Sequence, residues 1–283
     1  MKLISICPSN TELIHFLGLT NHLIAVDDFS DWPHEIQHLP RLGPDLSIDM
    51  DKVESMKPDL VLASLSVPGM EKNVDELKLR NIPHVVYNPQ SLKNIQNDLL
   101  DLGERTKTIQ QAEHTVHWMK NEMIQYKKIS QTIKDRKKIY FEWWPKPVFT
   151  PGKTNWLTEI AELAGCTNVF QDVELASLQT TWEDVVSRKP EVIGMVWVGV
   201  KTSKMRPDHI QKRPGWDDLY NEMNTEIIKL EESLFCRPSP RLIFGLKRLA
   251  ALVHPDQYPA FLPSDEDRWL TKTWQTTSPS RLL

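Results

Sequence analysis

Short apolar runs rich in β-branched residues alternate with amphipathic helical segments along most of the chain. The run "LIAVDDF" is followed by a helical segment, "PDLVLAS" precedes the helical segment "EKNVDELKLRN", and "PHVVYN" comes next. Alternation of strand and helix is typical of a parallel sheet that is covered by helices. We therefore predict an α/β fold, with a first strand that begins at Leu3 and a helix directly after it.

The alternation occurs twice, on either side of a long helical stretch. Apolar residues recur every three or four positions from Ile109 to Ile133, which places a stripe on one face of a helix. Strand and helix patterns restart at "KKIYFEWW" and continue to a final helix near the C-terminus. The pattern predicts an N-terminal α/β lobe over 1–105, a connecting helix over 106–137, a C-terminal α/β lobe over 138–263 and a polar tail over 264–283.

Composition and charge narrow the classes of protein. A chain of 283 residues with 40% hydrophobic residues has room for two cores. Its formal net charge of -4 lacks the basic excess that nucleic-acid binders display. Three cysteines, Cys7, Cys166 and Cys236, are odd in number and far apart, so we predict neither a disulfide framework nor a zinc site with paired ligands.

The N-terminal segment "MKLISICPSNTELIHFLGL" bears on location. Polar residues interrupt its apolar stretch, unlike a secretory leader or a membrane span. Ser9 and Glu12 have the spacing of a capping box, which predicts a helix start at this point. We therefore expect a cytoplasmic protein as the sequence is written, without membrane insertion. The alternative is a periplasmic or cell-surface protein whose leader preceded Met1.

A stiff aromatic segment, "YFEWWPKPVFTPGKTNW", runs from Tyr140 to Trp156. Trp and Phe present a large apolar surface with few rotatable bonds, and such surface suits a large flat ligand. Trp143 and Trp144 are adjacent, and adjacent strand residues point to opposite faces, so at most one of them enters a given core. We expect at least one of the two indoles to face a ligand.

Motifs of the common enzyme classes are missing from the sequence. There is no Gly-rich phosphate loop, no G-x-S-x-G elbow and no His-Glu-x-x-His. Nine histidines are available, yet no pair has compelling spacing for metal ligation. We therefore predict a binding protein with no catalytic residues, no metal site and no required cofactor.

Several segments, in their order along the chain, resemble one family. These are "SICPSNTELIHFLGL", "DWPHEIQHLPRLGPDLSIDMDKVESMKPDLVLAS", "FEWWPKPVFTPGKTNWLTEIAELAGCTNVF", "RPGWDDL" and "RPSPRLIFGLKRLAALVHPD". Over about residues 3 to 255 the chain is similar to the solute-binding proteins of the cobalamin, haem and iron-siderophore ABC importers, and most similar to the cobalamin-binding branch. The resemblance implies two Rossmann-like lobes joined by one long helix, with a ligand cleft between the lobes.

The resemblance also implies roles for individual residues. Trp32, Trp143 and Phe149 fall where the family places ligand-facing aromatics, and Arg237 falls near a polar contact. Two ring positions of the family are occupied here by Ser64 or Ser66 and by Ser177, and Trp144, Trp197 or Trp156 can compensate. The ligand-binding candidates are therefore Trp32, Ser64, Trp143, Trp144, Phe149, Trp197 and Arg237.

Glu71 and Glu183 match the exposed glutamates through which the family docks on a membrane permease, one on each lobe. A simpler explanation is that a carboxylate at a helix start is favoured by the helix dipole. We expect a monomer that binds a cobalamin-like corrinoid or related metal chelate and that has an ABC permease as its partner. The alternatives are an intracellular corrinoid carrier or sensor, or a tetrapyrrole chelatase-like enzyme.

Overall fold

The computed structural model describes residues 1–262, which form two compact units. Unit 1 consists of Met1–Met119 and Arg237–Pro240, and unit 2 of Lys120–Cys236 and the described residues from Arg241 onward. The C-terminal tail predicted over 264–283 lies outside the described residues. Each unit contains a four-stranded parallel sheet, which confirms the α/β fold class.

The sheet of unit 1 has the strand order β2-β1-β3-β4. Its strands are β1 (Leu3–Ser5), β2 (Leu23–Val26), β3 (Leu60–Ser64) and β4 (His84–Tyr87). Its helices are α1 (Pro8–Phe16), α2 (Met50–Ser55), α3 (Glu71–Leu79) and α4 (Leu92–Thr106). Buried side chains such as Ile4, Ala25 and Val61 form the core beneath the helices, because parallel strands covered by helices must be apolar.

The long helix α5 (Ile109–Ser130) begins in unit 1 and ends in unit 2. It is shorter at its C-terminal end than the apolar stripe predicts, since Ile133 lies beyond it. A separate helix, α4, ends at Thr106, and Lys107 takes a left-handed conformation that breaks the helical path before α5 starts. The long helix of this region therefore spans Ile109–Ser130, whereas the sequence pattern predicts a connecting helix over 106–137.

Unit 2 repeats the strand order of unit 1. Its parallel sheet has the order β11-β10-β5-β8. The strands are β5 (Lys137–Glu142), β8 (Cys166–Asn168), β10 (Val192–Met195) and β11 (Glu226–Lys229). The helices are α6 (Trp156–Leu163), α7 (Trp182–Ser187), α8 (Asp208–Gln211), α9 (Trp216–Met223), α10 (Glu232–Phe235) and α11 (Leu242–Val253).

The aromatic segment of unit 2 forms strands that the sequence pattern did not predict. β6 (Trp144–Pro145), β7 (Val148–Pro151) and β9 (Ser177–Thr180) make a small antiparallel sheet. Trp144 and Phe149 are cross-strand partners in it. The strands were not predicted because the segment contains prolines, and Pro is confined to edges, first residues and bulges of sheets.

The predicted capping box at Ser9 and Glu12 is wrong. The first helix starts at Pro8, with Cys7 as its N-cap and no side-chain cap. Pro is well suited to the first helical position because its fixed φ matches the helix. The carboxylate of Glu12 instead binds Arg237 and Ser239, as described below. No helix among residues 1–262 is both long and apolar enough to cross a membrane.

Candidate functional site

The strand order of unit 2 defines a particular edge of its sheet. Chain progression reverses between β5 and β10, which are neighbours, and open α/β sheets bind ligands at the carboxyl ends of strands at such a switch point. Trp143 follows β5 directly, and Trp197 lies two residues after β10. The amide of Val198 donates to the carbonyl of Trp143 at 3.2 Å. The structure thus brings two predicted site residues together at this edge.

A buried carboxylate, Glu142, fixes the side chains around it at this edge of the sheet. Its Oε1 accepts hydrogen bonds from Trp197 Nε1 at 3.0 Å and from Arg213 Nη2 at 3.1 Å. Its Oε2 is bonded by Arg213 Nη1 and by the hydroxyl of Tyr140, the latter at 3.3 Å. Burial, together with the nearby Glu142 charge, raises the pKa of Tyr140 well above its ordinary value. Trp197 is consequently locked, and its ring stacks on His209 with 5.8 Å between centroids.

Sequence reasoning missed Glu142 and Arg213. The available signal was a charged residue at the end of an otherwise apolar strand, because a buried carboxylate requires a cationic partner. The partner itself lies 71 positions further along the chain, and its identity came only from the tertiary structure.

The hairpin of β6 and β7 presents the aromatic surface of this edge. Trp144 is 42% exposed, and its Nε1 donates to the carbonyl of Lys146 at 3.1 Å. Phe149, opposite Trp144, is half-buried. Trp143 is also half-buried and lies 6.2 Å from the ring of the buried Trp156. Trp156 donates from Nε1 to the carbonyl of Phe235 at 2.8 Å. This bond fixes the ring that packs beside Trp143.

In unit 1 the candidate Trp32 lies in the loop that follows β2. Its half-buried ring packs edge-on against His15, with centroids 4.5 Å apart, and lies 6.0 Å from the ring of Phe16. His15 is oriented in turn by a contact of 2.8 Å between its Nδ1 and the hydroxyl of Thr20. Both aromatic partners of Trp32 belong to α1, so this helix sets the ring's position.

Arg237 reaches the same loop, because the segment Arg237–Pro240 belongs to unit 1. Its Nη1 lies 2.6 Å from Asp31 Oδ1 and 3.4 Å from Glu12 Oε1. Glu12 is fully buried and also accepts a hydrogen bond from the hydroxyl of Ser239. Arg237 therefore joins a buried carboxylate on α1 to an exposed one beside Trp32.

Ser64 differs from the aromatic candidates because its small polar side chain makes local hydrogen bonds. It ends β3 and is buried, and its hydroxyl donates to Ser66 Oγ at 2.9 Å while accepting from the Ser66 amide at 3.1 Å. The hydroxyl is thus used within its own turn. A serine here keeps the carboxyl end of β3 narrow, where an indole would occupy more space.

The two candidate docking glutamates each lie at the start of a helix, one in each unit. Glu71 starts α3 in unit 1, and Glu183 lies in the first turn of α7 in unit 2. Both are exposed. The carboxylate of Glu71 accepts the amide of Gly69 at 2.7 Å, and Gly69 has a φ of +104°, a conformation that favours glycine. Glu71 is therefore held by its own loop.

Among residues 1–262, no three His, Cys, Asp or Glu side chains lie together where they would hold a metal ion. Two buried acids, Glu12 in α1 and Glu142 at the end of β5, each bind an arginine.

The chain belongs to the periplasmic binding protein family, whose model matches residues 3–233. It is 28% identical over 262 residues to an uncharacterized ABC transporter substrate-binding lipoprotein of Bacillus subtilis, covering 91% of this chain and 81% of the relative. It is 27% identical over 254 residues to a vitamin B12-binding protein of Yersinia pestis, covering 88% and 84%.

A solved structure supports the same family. A possible iron-binding (periplasmic solute-binding) protein from Staphylococcus epidermidis superposes with a TM-score of 0.76 at 25% identity, covering 89% of this chain and 98% of that one. Together these relatives confirm the resemblance that the sequence motifs indicated.

We predict that the buried pair of Glu12 and Arg237 stabilises unit 1 through charge compensation. Arg237→Met removes a cation that the buried carboxylate of Glu12 binds, and removing one partner of a buried pair costs about 3–5 kcal/mol. Chemical denaturation should show this loss in the free energy of unfolding. The double variant Glu12→Gln with Arg237→Met should lose much less than the sum of its single variants.

The matched control for this prediction is Lys78→Met. Lys78 pairs with Asp75 at 3.6 Å on the exposed surface of the same unit. Exposed pairs contribute only about 0–1 kcal/mol. If Arg237→Met were no more harmful than Lys78→Met, charge compensation at Glu12 would not be what stabilises unit 1.

Proposed function

We propose that the protein is the substrate-binding component of an ABC import system and that it captures a cobalamin-like corrinoid or a related metal chelate. The observation that carries the proposal is that Trp143 and Trp197 follow neighbouring strands at the switch point of unit 2, and that the hairpin pairing Trp144 with Phe149 begins directly after Trp143. The vitamin B12-binding relative supports the corrinoid, and the iron-binding relative supports the wider class of metal chelates.

The large size of a macrocyclic ligand and the rigidity of indole rings both favour this kind of contact. A macrocycle offers a broad apolar face, and an indole contacts it with only two rotatable bonds to immobilise. Trp144 leaves 42% of its surface exposed, so its ring is accessible to a ligand. A hydrogen bond to Glu142 fixes Trp197, and the ring of Trp156 packs beside Trp143. Such preorganisation favours binding without rearrangement.

We propose binding without chemical conversion. Glu142 and Glu12 are buried acids that contact candidate residues, and each is bound by an arginine and by a further donor. The alternative, a tetrapyrrole chelatase-like enzyme, requires a carboxylate that exchanges protons with its substrate.

The experiment that tests the proposal is a titration of purified protein with cobalamin, cobinamide, haem and a ferric siderophore. We expect one class of chelate to bind and to be recovered unchanged. In Trp144→Ala and Trp143→Ala, loss of an aromatic anchor should weaken binding by about 1–3 kcal/mol. Trp144→Ala should leave the melting temperature nearly unchanged because the side chain is exposed.

The control is Tyr220→Ala, which removes an aromatic ring of similar exposure from α9. Its affinity should equal that of the unmodified protein. Equal affinity in all three variants would reject the aromatic surface as the binding site. Metal insertion into a free tetrapyrrole would instead favour the chelatase-like alternative.

Glu71 and Glu183 are proposed to dock the protein on its permease. Each carboxylate is exposed in the first turn of a helix, so it meets a cationic partner without being desolvated first. We predict that Glu71→Ala with Glu183→Ala lowers uptake of the ligand by cells about tenfold or more, equivalent to about 1.4 kcal/mol of binding free energy. Ligand affinity of the purified variant should not change.

Asp217→Ala is the matched control for docking. Asp217 is also exposed and lies in the first turn of α9 in unit 2. Normal uptake in this variant would show that a helix-start carboxylate as such is not sufficient. If the paired glutamate variant also imported ligand normally, the glutamates would not be docking residues.

We propose that the protein works on the outer side of the cytoplasmic membrane, in place of the cytoplasmic location expected from the sequence as written. The Bacillus relative is described as a substrate-binding lipoprotein, which supports this location. Fractionation of cells that express the native gene should recover the protein with the cell surface or periplasm. Recovery in the cytosol would favour an intracellular corrinoid carrier or sensor.

A further inference from the structure

A chain of buried hydroxyl groups runs through unit 1 and ends at the carboxyl group of Asp27. The hydroxyl of Ser5 contacts the carbonyl of Cys7 at 2.9 Å, and the hydroxyl of Thr11 contacts that of Ser5 at 2.8 Å. Thr11 also lies 2.7 Å from the hydroxyl of Ser30, and Ser30 contacts Asp27 Oδ2. Ser5, Thr11 and Asp27 are fully buried and Ser30 nearly so, so these contacts lie away from bulk solvent. We call this set the hydroxyl chain.

When Asp27 is ionised, the hydroxyl chain has one hydrogen fewer than its contacts require. The chain has four oxygen–oxygen contacts of 2.9 Å or less, each of which requires one hydrogen, and Thr11 Oγ1 also lies at the longer distance of 3.4 Å from the Cys7 carbonyl. Three hydroxyl groups supply three hydrogens, since each carries one. A protonated Asp27 supplies the fourth, and the order of donation then runs from Asp27 through Ser30, Thr11 and Ser5 to the Cys7 carbonyl. With Asp27 ionised, one pair of buried oxygens faces each other without a hydrogen.

The hydroxyl chain supports the loop that carries Trp32. The second oxygen of Asp27, Oδ1, accepts the amides of Phe29 at 2.8 Å and Ser30 at 3.0 Å, which fixes the turn after β2. Arg41 Nη1 donates to the carbonyl of Asp27 at 3.1 Å and also to that of Ser30. The next residues along the chain are Asp31 and Trp32. The protonation state of Asp27 therefore acts on the base of this loop.

The groups around Asp27 either change the pKa of its carboxyl group or are bound to other atoms. Burial is the main reason that the pKa of Asp27 is raised to about 6, and the negative charge of Asp45 adds to it. Hydrogen bonds from Ser30 and Phe29 oppose the rise. The thiol of Cys7, at the start of α1, is neutral because burial raises its pKa to about 11. The guanidinium of Arg41 is directed at backbone carbonyls.

We propose that Asp27 is a proton-dependent latch: taking up one proton completes the hydroxyl chain and fixes the loop that carries Asp31 and Trp32. The folded protein binds this proton more tightly than the unfolded chain does. Its contribution to stability is therefore fully present below the ordinary pKa of an aspartate and is lost as the pH rises through about 6. The latch closes in mildly acidic surroundings and loosens at neutral pH.

The first test is carbon-13 NMR of the aspartate carboxyl carbons in the full chain. The signal of Asp27, identified by its loss in Asp27→Asn, should titrate with a midpoint above pH 5. Thr11→Val removes the Thr11 contacts, and two hydroxyl hydrogens then suffice for the two contacts that remain. The midpoint should fall by about one pH unit, a tenfold decrease in proton affinity.

Thr115→Val is the matched control, because Thr115 is another buried threonine of unit 1 whose hydroxyl contacts lie outside the hydroxyl chain. It should leave the Asp27 midpoint unchanged. A midpoint near pH 4 in the unmodified protein would overturn the proposal. An equal midpoint in Thr11→Val and Thr115→Val would overturn it as well.

A second measurement uses the melting temperature of Asp27→Asn. Its carboxamide donates to Ser30 and accepts the two amides at every pH, as the protonated acid does. The variant should match the unmodified protein near pH 4 and become progressively more stable than it between pH 4 and 7. A difference that does not change with pH would contradict the latch.

Discussion

A parallel sheet must be covered on both faces, and this constraint organises both units of the protein. Helices occupy the faces of the two sheets, so the strand ends are where polar groups and ligands can be placed. In each unit the strand order reverses next to the first strand, so the chain leaves the two neighbouring strands there toward opposite sides of the sheet. The candidate residues Trp143 and Trp197 of unit 2 lie at this edge, and Ser64 of unit 1 lies at its counterpart.

The buried carboxylates Glu142, Glu12 and Asp27 each have a different set of partners. Glu142 is bound by Arg213, Tyr140 and Trp197, so its charge fixes an indole. Glu12 is bound by Arg237 and Ser239, so its charge recruits a distant segment to unit 1. Asp27 has no cation at its carboxyl oxygens in the contacts described above, and its surroundings are hydroxyl and amide groups. An ionised acid is costly in such a place, which explains why burial raises the pKa of Asp27 to about 6.

The aromatic surface and the buried acids depend on each other. A tryptophan at a strand end has several rotamers, and it becomes a defined contact surface only when its N–H is engaged or its ring is packed. Trp197 meets this condition through Glu142, Trp32 through His15 and Phe16, and Trp143 through Trp156. Trp144 remains the most exposed of the candidate rings. The proposed ligand contact thus combines fixed rings with one ring open to solvent.

Local sequence determined the parts of the structure that depend on local physics. Apolar periodicity placed most strands and helices, including α11 at Leu242–Val253, because burial of one face follows directly from residue spacing. Asn155 and Thr181 precede α6 and α7 and cap them, since their side chains reach amides only a few residues away. The α/β class was therefore visible from the sequence, and so was the concentration of aromatic residues from Tyr140 to Trp156, although its hairpin was not.

Only the tertiary structure decided which polar groups meet. Glu12 has the spacing of a local cap, yet it binds Arg237 and Ser239, which lie 225 and 227 positions away. Glu142 finds Arg213 71 positions along the chain, and the hydroxyl chain joins α1 to the loop after β2. A buried charge is satisfied by whichever partner the fold brings near, because the cost of leaving it unpaired exceeds any local preference. Residue spacing carries no information about that partner.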